Sequence, residues 1–397
     1  MQQLAERLGK IEMPMTIEMS RKSRDLQAKG IDVIALNLGE PDFDTPDYIK
    51  EAAKQAIDEN YSHYMPVAGY ADLREVIAAK LKRDNGLDYS PNEIVVSTGA
   101  KQSIINVVLS LVNQGDEVII PAPYWVSYVE QVKLIDGVPV VLPTSLETQF
   151  KISPAQLRNA ITDKSKLLML SSPNNPSGAM YTREELAALA EVIATKKDLY
   201  VMYDEIYELI TFGTEHVSLA SFDAIKDQVI TVNGLSKGFA MTGWRLGYMA
   251  APKWIADACD KIQSQFTSGA NSITQRAAIA ALAEPPARVQ YMVDEFAKRR
   301  ELMYDLLKEI PGFKLYKPDG AFYMFVEVKE ILGKSANGQK LETGLDLAMY
   351  LLNTAHVSCV PGEAFGLEGY IRFSFAAATD VLKEACRRIE TAIRNLK

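Results

Sequence analysis

Cysteine and histidine are scarce in this sequence, and this scarcity excludes several classes of protein. The 397 residues contain three cysteines, Cys259, Cys359 and Cys386, which are widely separated and odd in number. A disulfide framework and a CxxC metal motif are therefore excluded, and a reducing, cytoplasmic location fits best. The three histidines form no HxxxH pair, so we expect no histidine metal centre, while a site built from carboxylates stays open.

Long hydrophobic runs and an excess of positive charge are also missing. No stretch of about 18 apolar residues occurs, and the first residues, MQQLAERLGKIEM, lack the apolar core of a signal peptide. We therefore expect neither a membrane-spanning protein nor export by that route. The 43 basic and 51 acidic residues give a net charge of −8. The two signs are interspersed, which argues against nucleic acid or an anionic membrane as a partner.

The middle of the chain has a regular pattern, in which strand-like runs alternate with helical ones. Such alternation predicts an α/β fold with a mostly parallel sheet flanked by helices. The strand-like runs are NEIVVSTG, DEVIIPAP, KLLMLSSP, LYVMYDE and QVITVNG. The helical run TREELAALAEVIATKKD has local support, because Thr182 and Glu185 have the spacing of a capping box. Leu186, Leu189 and Ile193 then share one face of this helix.

The pattern changes after Pro285 and Pro286, where a long helical segment begins. Beyond Gly312 come AFYMFVEV, a polar insertion, an amphipathic helix, VSCVPG and YIRFSFAAA, an order typical of a smaller α+β domain. We therefore predict a large domain over 47–286 and a small C-terminal domain over 287–397. Residues 1–46 end in the loop NLGEPDFDTP, and we expect them to pack with the small domain.

Lys237 is a lone charge among small and apolar residues in NGLSKGFAM, directly after a strand-like run. The small neighbours Ser236 and Gly238 allow a bulky ligand to approach closely. Burial would lower the pKa of the amine towards the neutral form that attacks carbonyl groups. Ser236 and Arg245 suit a phosphate group on such a ligand. Because an arbitrary lysine is more often a surface residue, this interpretation depends on the other sites.

A second anion-binding feature is predicted where NEIVVSTG gives way to a helix. Gly99 and Ala100 leave the backbone N–H groups at the helix N-terminus open, and the helix dipole favours an anion there. Small residues at such turns also serve close packing. The feature therefore gains weight only as a second phosphate contact beside Ser236 and Arg245.

Four further positions follow predicted strands, at the edge where ligands bind in open α/β sheets. Asp204 ends LYVMYDE and can keep a pyridine-type nitrogen protonated, although it can equally cap a helix. Tyr207 and Asn175 can hydrogen-bond a phenolic oxygen, and Trp125 can stack on a planar ring. The competing interpretations are packing for the two aromatic residues and a simple turn for SSPNNPSG.

The run YIRFSFAAA alternates strictly between apolar and other residues. This pattern puts Ile371, Phe373 and Phe375 on one face of a strand and Arg372 on the other. We therefore expect Arg372 to leave the core side. In a cleft it can bind a carboxylate through paired hydrogen bonds, and otherwise we expect a surface ion pair.

Together these stretches resemble the class I, fold type I aminotransferases, which use pyridoxal phosphate. The resemblance covers essentially the whole chain and is closest to the aspartate aminotransferases of the bacterial Ib branch. It implies a large domain with a mostly parallel mixed sheet and a smaller α+β domain. The stretches that carry it are NLGEPDFDTP, HYMPVAGYADLR, STGAKQ, PAPYWVSY, SSPNNPSG, YDEIYE, SKGFAMTGWRLGY, GAFY and YIRFSFA.

The resemblance implies a role for each matching residue. Lys237 matches the lysine that condenses with the cofactor aldehyde and later moves the proton at the substrate Cα. Asp204 matches the partner of the pyridine nitrogen, and Arg372 matches the clamp on the substrate α-carboxylate. Tyr64 matches a tyrosine that reaches the phosphate of the neighbouring subunit, which implies a homodimer with shared active sites.

The remaining matches surround the cofactor and the substrate, and no metal is implied. The phosphate is matched by Gly99, Ala100, Lys101, Ser236 and Arg245. The phenolic oxygen is matched by Tyr207 and Asn175, and the ring face by Trp125. Gly39, Trp125 and Asn175 are also expected beside the substrate.

The resemblance also gives the expected reaction, which is ping-pong amino transfer from L-aspartate to 2-oxoglutarate. Residues 11–16, IEMPMT, depart from the strand with Ser and Thr that lines the pocket entrance in that branch. Met13 and Met15 would make the pocket more apolar, or simply pack as flexible apolar residues. Prephenate, aromatic or alanine substrates are therefore alternatives. A pyridoxal phosphate-dependent C–S β-lyase and a non-catalytic ligand-binding protein on the same fold are the others.

Overall fold

The computed structural model of the chain describes residues 4–336 and 338–397. The helices α1 to α12 in these residues are Met15–Gln27, Asp47–Asp58, Ala71–Asn85, Ala100–Leu111, Ser127–Leu134, Pro154–Ala160, Arg183–Ile193, Lys253–Phe266, Ser272–Ala283, Gln290–Leu307, Gly344–Tyr350 and Thr379–Arg394. The strands β1 to β15 are Ile34–Ala35, Ile94–Ser97, Glu117–Pro121, Val138–Leu142, Ser165–Ser171, Tyr200–Asp204, Val229–Gly234, Gly247–Ala250, Lys314–Leu315, Tyr323–Glu327, Ser335–Ala336, Gln339–Lys340, Val357–Ser358, Val360–Pro361 and Tyr370–Ser374.

The largest sheet has seven strands in the order β2-β8-β7-β6-β5-β3-β4. Neighbouring strands are parallel from β7 to β4, whereas β8 runs antiparallel to both β7 and β2. Strands β5, β6 and β7 are almost entirely buried, because helices cover both faces of the sheet. The predicted α/β architecture with a mostly parallel, mixed sheet is confirmed.

Helix α7 begins where its sequence predicts. The Thr182 hydroxyl accepts a hydrogen bond from the backbone N–H of Glu185, and the Glu185 carboxylate accepts one from the backbone N–H of Thr182. Leu186, Leu189 and Ile193 have no exposed surface. The capping box therefore fixes the helix start, and the predicted apolar face packs into the core.

A second sheet lies towards the C-terminus and is antiparallel throughout, in the order β14-β15-β10-β9. Helices α10 and α12 pack against each other beside it. The short strand β1 of the N-terminal segment pairs in parallel with β13, and the backbone N–H of Ser374 donates to the oxygen of Leu36. These contacts agree with an N-terminal segment that packs on the C-terminal unit, but the limits 1–46, 47–286 and 287–397 stay a prediction.

The expectation for the last strand, β15, is wrong in one respect. The two faces alternate as predicted, but Tyr370, Arg372 and Ser374 are as buried as Ile371 and Phe373. The strand lies between β14 and β10, with other elements over both faces, so its polar face borders an interior cavity. Arg372 is therefore not a surface residue.

None of the helices in the part of the chain that the structure describes has both the length and the apolar composition that a membrane-spanning helix needs.

Candidate active site

The chain segments that follow β5, β6 and β7 converge at the carboxyl edge of the parallel strands, where ligands bind in open α/β sheets. A cavity of about 380 Å³ lies there. It is lined by eleven of the thirteen predicted site residues, and Gly99 and Tyr64 are the two that do not line it. The eleven are Gly39, Ala100, Lys101, Trp125, Asn175, Asp204, Tyr207, Ser236, Lys237, Arg245 and Arg372.

Lys237 lies in the turn directly after β7, with its amine in the cavity. Its Nζ donates a hydrogen bond to the backbone oxygen of Gly39, which the N-terminal segment supplies. Burial lowers the pKa of Lys237 to about 8, helped by the positive charges of Arg372 and Arg245. An amine with this pKa is neutral in a substantial fraction of molecules near physiological pH, so it can attack a carbonyl carbon or accept a proton.

Asp204 is the last residue of β6 and is only 5% exposed. Its Oδ2 accepts a hydrogen bond of 2.7 Å from the Tyr128 hydroxyl, and its Oδ1 accepts one of 3.1 Å from the backbone N–H of Ile206. Burial raises the pKa of Asp204 to about 6. Above that pH the side chain is an oriented, buried anion that can hold a cationic nitrogen.

Tyr207 follows Asp204 by three residues and is fully buried against Phe322 and Tyr323. Its hydroxyl lies 2.7 Å from the hydroxyl of Tyr323, and either group can donate. Burial raises the pKa of Tyr207 well above its usual range. The residue therefore keeps its proton and can act as a hydrogen-bond donor in the cavity.

An anion-binding corner lies where β2 leads into α4. Gly99 has φ +82, and a Cβ on this residue would lie 2.5 Å from the Arg245 guanidinium, so only glycine fits. Lys101 lies 4.8 Å above the centre of the Trp125 ring, and burial together with Arg245 lowers its pKa. The side chains of Lys101 and Arg245 thus lie beside the N–H groups at the N-terminus of α4. In the described part of the chain neither cation has an acidic partner, so the corner suits an anion.

Arg372 also lines the cavity and is held by several contacts. Its Nη1 donates to the Asn175 side-chain oxygen at 2.9 Å, and its Nη2 donates to the Asn37 backbone oxygen at 2.8 Å. Its guanidinium carbon lies 4.3 Å from the centre of the Tyr323 ring. The buried Nε has no partner. The predicted surface ion pair is therefore wrong, and the structure instead presents a fixed cation with an unused donor.

The sequence model of the family described as aminotransferase class I and II matches residues 31–389. The chain belongs to this aminotransferase family. The bifunctional aspartate aminotransferase and glutamate/aspartate-prephenate aminotransferase of Petunia hybrida is 46% identical over 99% of this chain and 83% of its own.

Two solved structures are similar over their whole length. The aspartate aminotransferase of Rhizobium meliloti has a TM-score of 0.97 and 38% identity, with 100% of both chains covered. The aspartate aminotransferase of Thermus thermophilus with maleate has a TM-score of 0.92 and 38% identity, with 99% of this chain and 100% of that chain covered. The fold type I architecture expected of this aminotransferase is therefore confirmed.

Enzymes of this family use pyridoxal phosphate, and the cavity of this aminotransferase fits that cofactor. The anion-binding corner suits its phosphate, since Lys101 and Arg245 there have no acidic partner among the described residues. The buried Asp204 carboxylate suits its ring nitrogen, and the low pKa of Lys237 suits its aldehyde. The chemistry of these side chains thus matches the phosphate, the ring nitrogen and the aldehyde of the cofactor.

Two of the predicted residues of the aminotransferase have less direct positions. Trp125 lines the cavity and packs edge-on against Tyr128, at 5.6 Å between ring centres. Tyr64 is 99% exposed and lies outside the cavity of its own chain. Its predicted contact with a neighbouring subunit stays a prediction.

Of the two interpretations of Met13 and Met15 in the aminotransferase, the more apolar pocket is wrong. These residues form no strand, and α1 begins at Met15. Met13 is 75% exposed and Met15 is partly buried, and neither lines the cavity. The polar residue Thr16 lines it instead, so the two methionines do not make the pocket apolar.

Sequence reasoning missed several residues that hold this site. Tyr128 orients Asp204, Asn37 supplies the backbone oxygen that fixes Arg372, and Tyr323 contacts both Tyr207 and Arg372. Asn37 and Tyr323 lie in NLGEPD and GAFY, two stretches that carry the family resemblance, so a signal was present. Tyr128 ends PAPYWVSY, another of these stretches, but only the packing of α5 beside the sheet shows that its hydroxyl reaches Asp204.

Proposed function

We propose that the protein transfers the amino group of L-aspartate to 2-oxoglutarate, giving oxaloacetate and L-glutamate. The observation that carries this proposal is the charge of the cavity lining. Among the residues that the structure describes, four cationic side chains and one carboxylate, that of Asp204, line the cavity. The four cations are Lys101, Lys237, Arg245 and Arg372.

The excess of positive charge suits an anionic cofactor and an anionic substrate. A phosphate carries about −1.5 to −2 charges at neutral pH, which together with Asp204 leaves about one positive charge for the α-carboxylate. The choice of a substrate with a second carboxylate is supported by the relatives named aspartate aminotransferases. Aspartate and 2-oxoglutarate each bring two carboxylates, whereas alanine and phenylalanine bring one. The maleate named with the Thermus thermophilus relative is also a dicarboxylate.

Pyridoxal phosphate, when bound, supplies an aldehyde for the amino group and a ring that accepts negative charge from the substrate Cα. We assign its phosphate to the N-terminus of α4 with Gly99, Ala100, Lys101, Ser236 and Arg245. Its ring nitrogen is assigned to Asp204, and its ring face to Trp125. Tyr207 and the amide of Asn175 are the donors for its phenolic oxygen.

Lys237 has the central role in this assignment. Its Nζ would hold the cofactor aldehyde, and as a free amine it would take the proton from the substrate Cα and later give it up. A pKa of about 8 supports both tasks, since the amine must be neutral to accept a proton and must then release it.

Arg372 and Asn175 form the proposed grip on the α-carboxylate. The guanidinium keeps Nε without a partner, while Nη1 donates to Asn175 and Nη2 donates to Asn37. Because arginine can only donate, the Asn175 side chain must face it with its oxygen, which leaves the amide N–H groups free for an acceptor in the cavity.

The test compares amino donors and acceptors in steady-state assays of the wild-type protein and the Lys101→Gln variant. We expect aspartate with 2-oxoglutarate to be preferred over alanine and phenylalanine. Because Lys101 is assigned to the cofactor phosphate, Lys101→Gln should weaken cofactor binding by about 10-fold and lower kcat/KM for every donor alike, so that the preference for aspartate over alanine stays. Lys226→Gln is the matched control, since Lys226 also lies over an aromatic ring, that of Tyr89, outside the cavity.

Other outcomes would change the proposal. Turnover of prephenate at rates above those of 2-oxoglutarate would favour the activity in the name of the Petunia hybrida relative. Equal rates with aspartate, alanine and aromatic donors would overturn the substrate assignment. Release of pyruvate and ammonia without an oxo acid would indicate a C–S β-lyase.

We also propose that the enzyme is a cytoplasmic homodimer in which Tyr64 completes the partner's site. The full exposure of an aromatic side chain in the isolated chain supports a partner surface there. Three buried cysteines without disulfides support a reducing compartment. Light scattering of the wild-type protein and Tyr64→Ala, with the cofactor dissociation constant of each, would test the shared site.

A further inference from the structure

Tyr323 lies at the start of β10 and touches two functional groups at once. Its hydroxyl is 2.7 Å from the Tyr207 hydroxyl. Its ring face lies 4.3 Å from the guanidinium carbon of Arg372, measured to the ring centre. Tyr323 is fully buried and lines the cavity.

We propose that Tyr323 is a positioning residue that joins the carboxylate-binding Arg372 to Tyr207. Its hydroxyl donates to Tyr207, which leaves the Tyr207 proton for an acceptor in the cavity. Its ring packs against the guanidinium of Arg372. This inference rests on the proposed function, because it assigns a further residue to the same site.

The two hydroxyls of this pair share one hydrogen bond. Burial raises the pKa of both Tyr207 and Tyr323, so each hydroxyl keeps one proton. Only one of these two protons can lie between the oxygens. When Tyr323 donates it, the Tyr207 oxygen is polarised and its own O–H becomes a stronger donor to a third group.

The guanidinium carbon of Arg372 lies over the rings of both Tyr323 and Phe365, at 4.3 and 5.0 Å from the ring centres. Cation–π contacts of a desolvated guanidinium are stronger than those at the surface. They also restrict its rotation, so that the unpaired Nε stays oriented. The ring therefore prepares Arg372 for a carboxylate independently of the hydroxyl.

The approach of Gly39 shows how closely this residue is packed. A Cβ on Gly39 would lie 2.8 Å from the Tyr323 hydroxyl oxygen, so a larger residue there would displace either the hydroxyl or the loop. The Gly39 backbone oxygen accepts the hydrogen bond of Lys237. Tyr323 thus also borders the segment that contacts the reactive amine.

Two substitutions separate the two contacts. Tyr323→Phe keeps the ring and removes the hydroxyl, whereas Tyr323→Leu removes both. The measurements on the cofactor-loaded enzyme are the pH midpoint of its absorbance change, kcat and KM for aspartate, and the dissociation constant of the unreactive dicarboxylate succinate by calorimetry.

For Tyr323→Phe we expect kcat to fall about three- to tenfold with KM and succinate binding within about twofold of wild type. The absorbance midpoint should move to higher pH, because a weaker donor at Tyr207 leaves more negative charge near the lysine nitrogen and raises its proton affinity. For Tyr323→Leu we expect, in addition, about tenfold weaker succinate binding.

Tyr370→Phe is the matched control. Tyr370 is equally buried and its hydroxyl donates to Glu327 at 2.7 Å, but it does not line the cavity. This variant should lose comparable stability while the absorbance midpoint and kcat stay at wild-type values.

An unchanged midpoint and kcat in Tyr323→Phe would overturn the inference, and so would equal changes in Tyr370→Phe. Absence of cofactor absorbance in the reconstituted wild-type protein would overturn the proposed function together with it. Normal transamination of another amino acid but not of aspartate would overturn only the substrate assignment, and the Tyr323 comparison would then be made with that amino acid.

Discussion

Lys80 and Lys237 are both largely removed from solvent, but their surroundings are opposite. Lys80, on α3, forms ion pairs with Glu208 and Asp84 and donates to Asn85 at 2.8 Å. Lys237 has a hydrogen bond to a neutral backbone oxygen and two arginines nearby. One lysine is a buried structural cation, and the other has a pKa of about 8.

The region around Lys80 continues into a polar network without reaching the cavity. Ser218 donates to Glu205 at 2.8 Å, and His216 lies 3.3 Å from the same carboxylate. The ligand atoms of Glu205, Glu208 and His216 lie within 4.8 Å of one another. Although burial opposes it, the charge of Lys80 holds the pKa of Glu208 below its usual value. The network thus contains a cation, Lys80, that is paired with its carboxylate Glu208.

One short segment separates the two regions. In the run from Asp204 to Glu208, Asp204 and Tyr207 line the cavity, whereas Glu205 and Glu208 enter the network around Lys80. Burial alone therefore does not make a lysine reactive. A buried amine loses its proton readily when counter-ions are withheld and other cations are placed beside it.

The largest expected effect is that of Lys237→Ala. Without the amine there is no covalent attachment and no base for the Cα proton, so transamination should fall by more than about 10⁴-fold. The cofactor absorbance should also lose its pH-dependent component. Stopped assays with aspartate and spectra at several pH values provide the measurement. Multiple turnover at near wild-type rates would show that the reactive lysine is a different one.

A smaller effect is expected at the structural lysine. Lys80→Met leaves Glu208 buried without its cation, so the free energy of unfolding should fall by about 3–5 kcal/mol. Urea denaturation of the apoprotein measures this change. Lys54→Met is the control, because the Lys54–Glu51 pair is exposed and should contribute less than about 1 kcal/mol.

The double variant Lys80→Met with Glu208→Gln sharpens this test. It should recover part of the lost stability, because the uncompensated carboxylate is gone. Equal destabilisation by Lys80→Met and Lys54→Met would contradict the structural role that the comparison assigns to Lys80.

The smallest effect concerns the pH dependence of stability. The pKa of Lys237 is about 8 in the folded protein against 10.5 as its ordinary value. Below pH 8 both states hold the proton, and burial of the charged amine destabilises the folded protein. Between pH 8 and 10.5 the folded state releases its proton before the unfolded state does, so this penalty disappears as pH rises.

Apoprotein with Lys237 should therefore gain about 1–3 kcal/mol relative to Lys237→Met across this pH window. Denaturation curves of the two proteins at pH 7.5 to 8 and near 10.5 measure the difference. Parallel changes in both proteins would mean that Lys237 titrates at its ordinary pKa.

Much of this site follows from local patterns in the chain. The runs before Asp204 and Lys237 predict buried strands, and residues at the carboxyl ends of parallel strands meet at one edge. Gly99 before a helix likewise predicts an anion-binding turn. These inferences need only the periodicity of a strand or helix and the rule that parallel strands share an edge.

The environment of each side chain was less predictable. The alternation of β15 indicates the correct face for Arg372, but not that Tyr323 and Phe365 enclose that face. Likewise, nothing local to Met13 and Met15 shows that α1 begins there and presents Thr16 to the cavity. Burial of a polar residue depends on what packs over it, and those residues come from distant parts of the chain.

The α/β class and the alternation of strands and helices follow from the sequence alone, because hydrophobic periodicity and turn residues act over a few positions. The family resemblance adds cavity residues such as Gly39 and Lys101, which no local pattern indicates. Which of the two enclosed lysines, Lys80 or Lys237, is reactive depends on the tertiary structure. The pKa of an amine depends on charges that lie within a few ångströms in space. For Lys237 the arginines come from positions 245 and 372, and for Lys80 the main counter-ion comes from position 208.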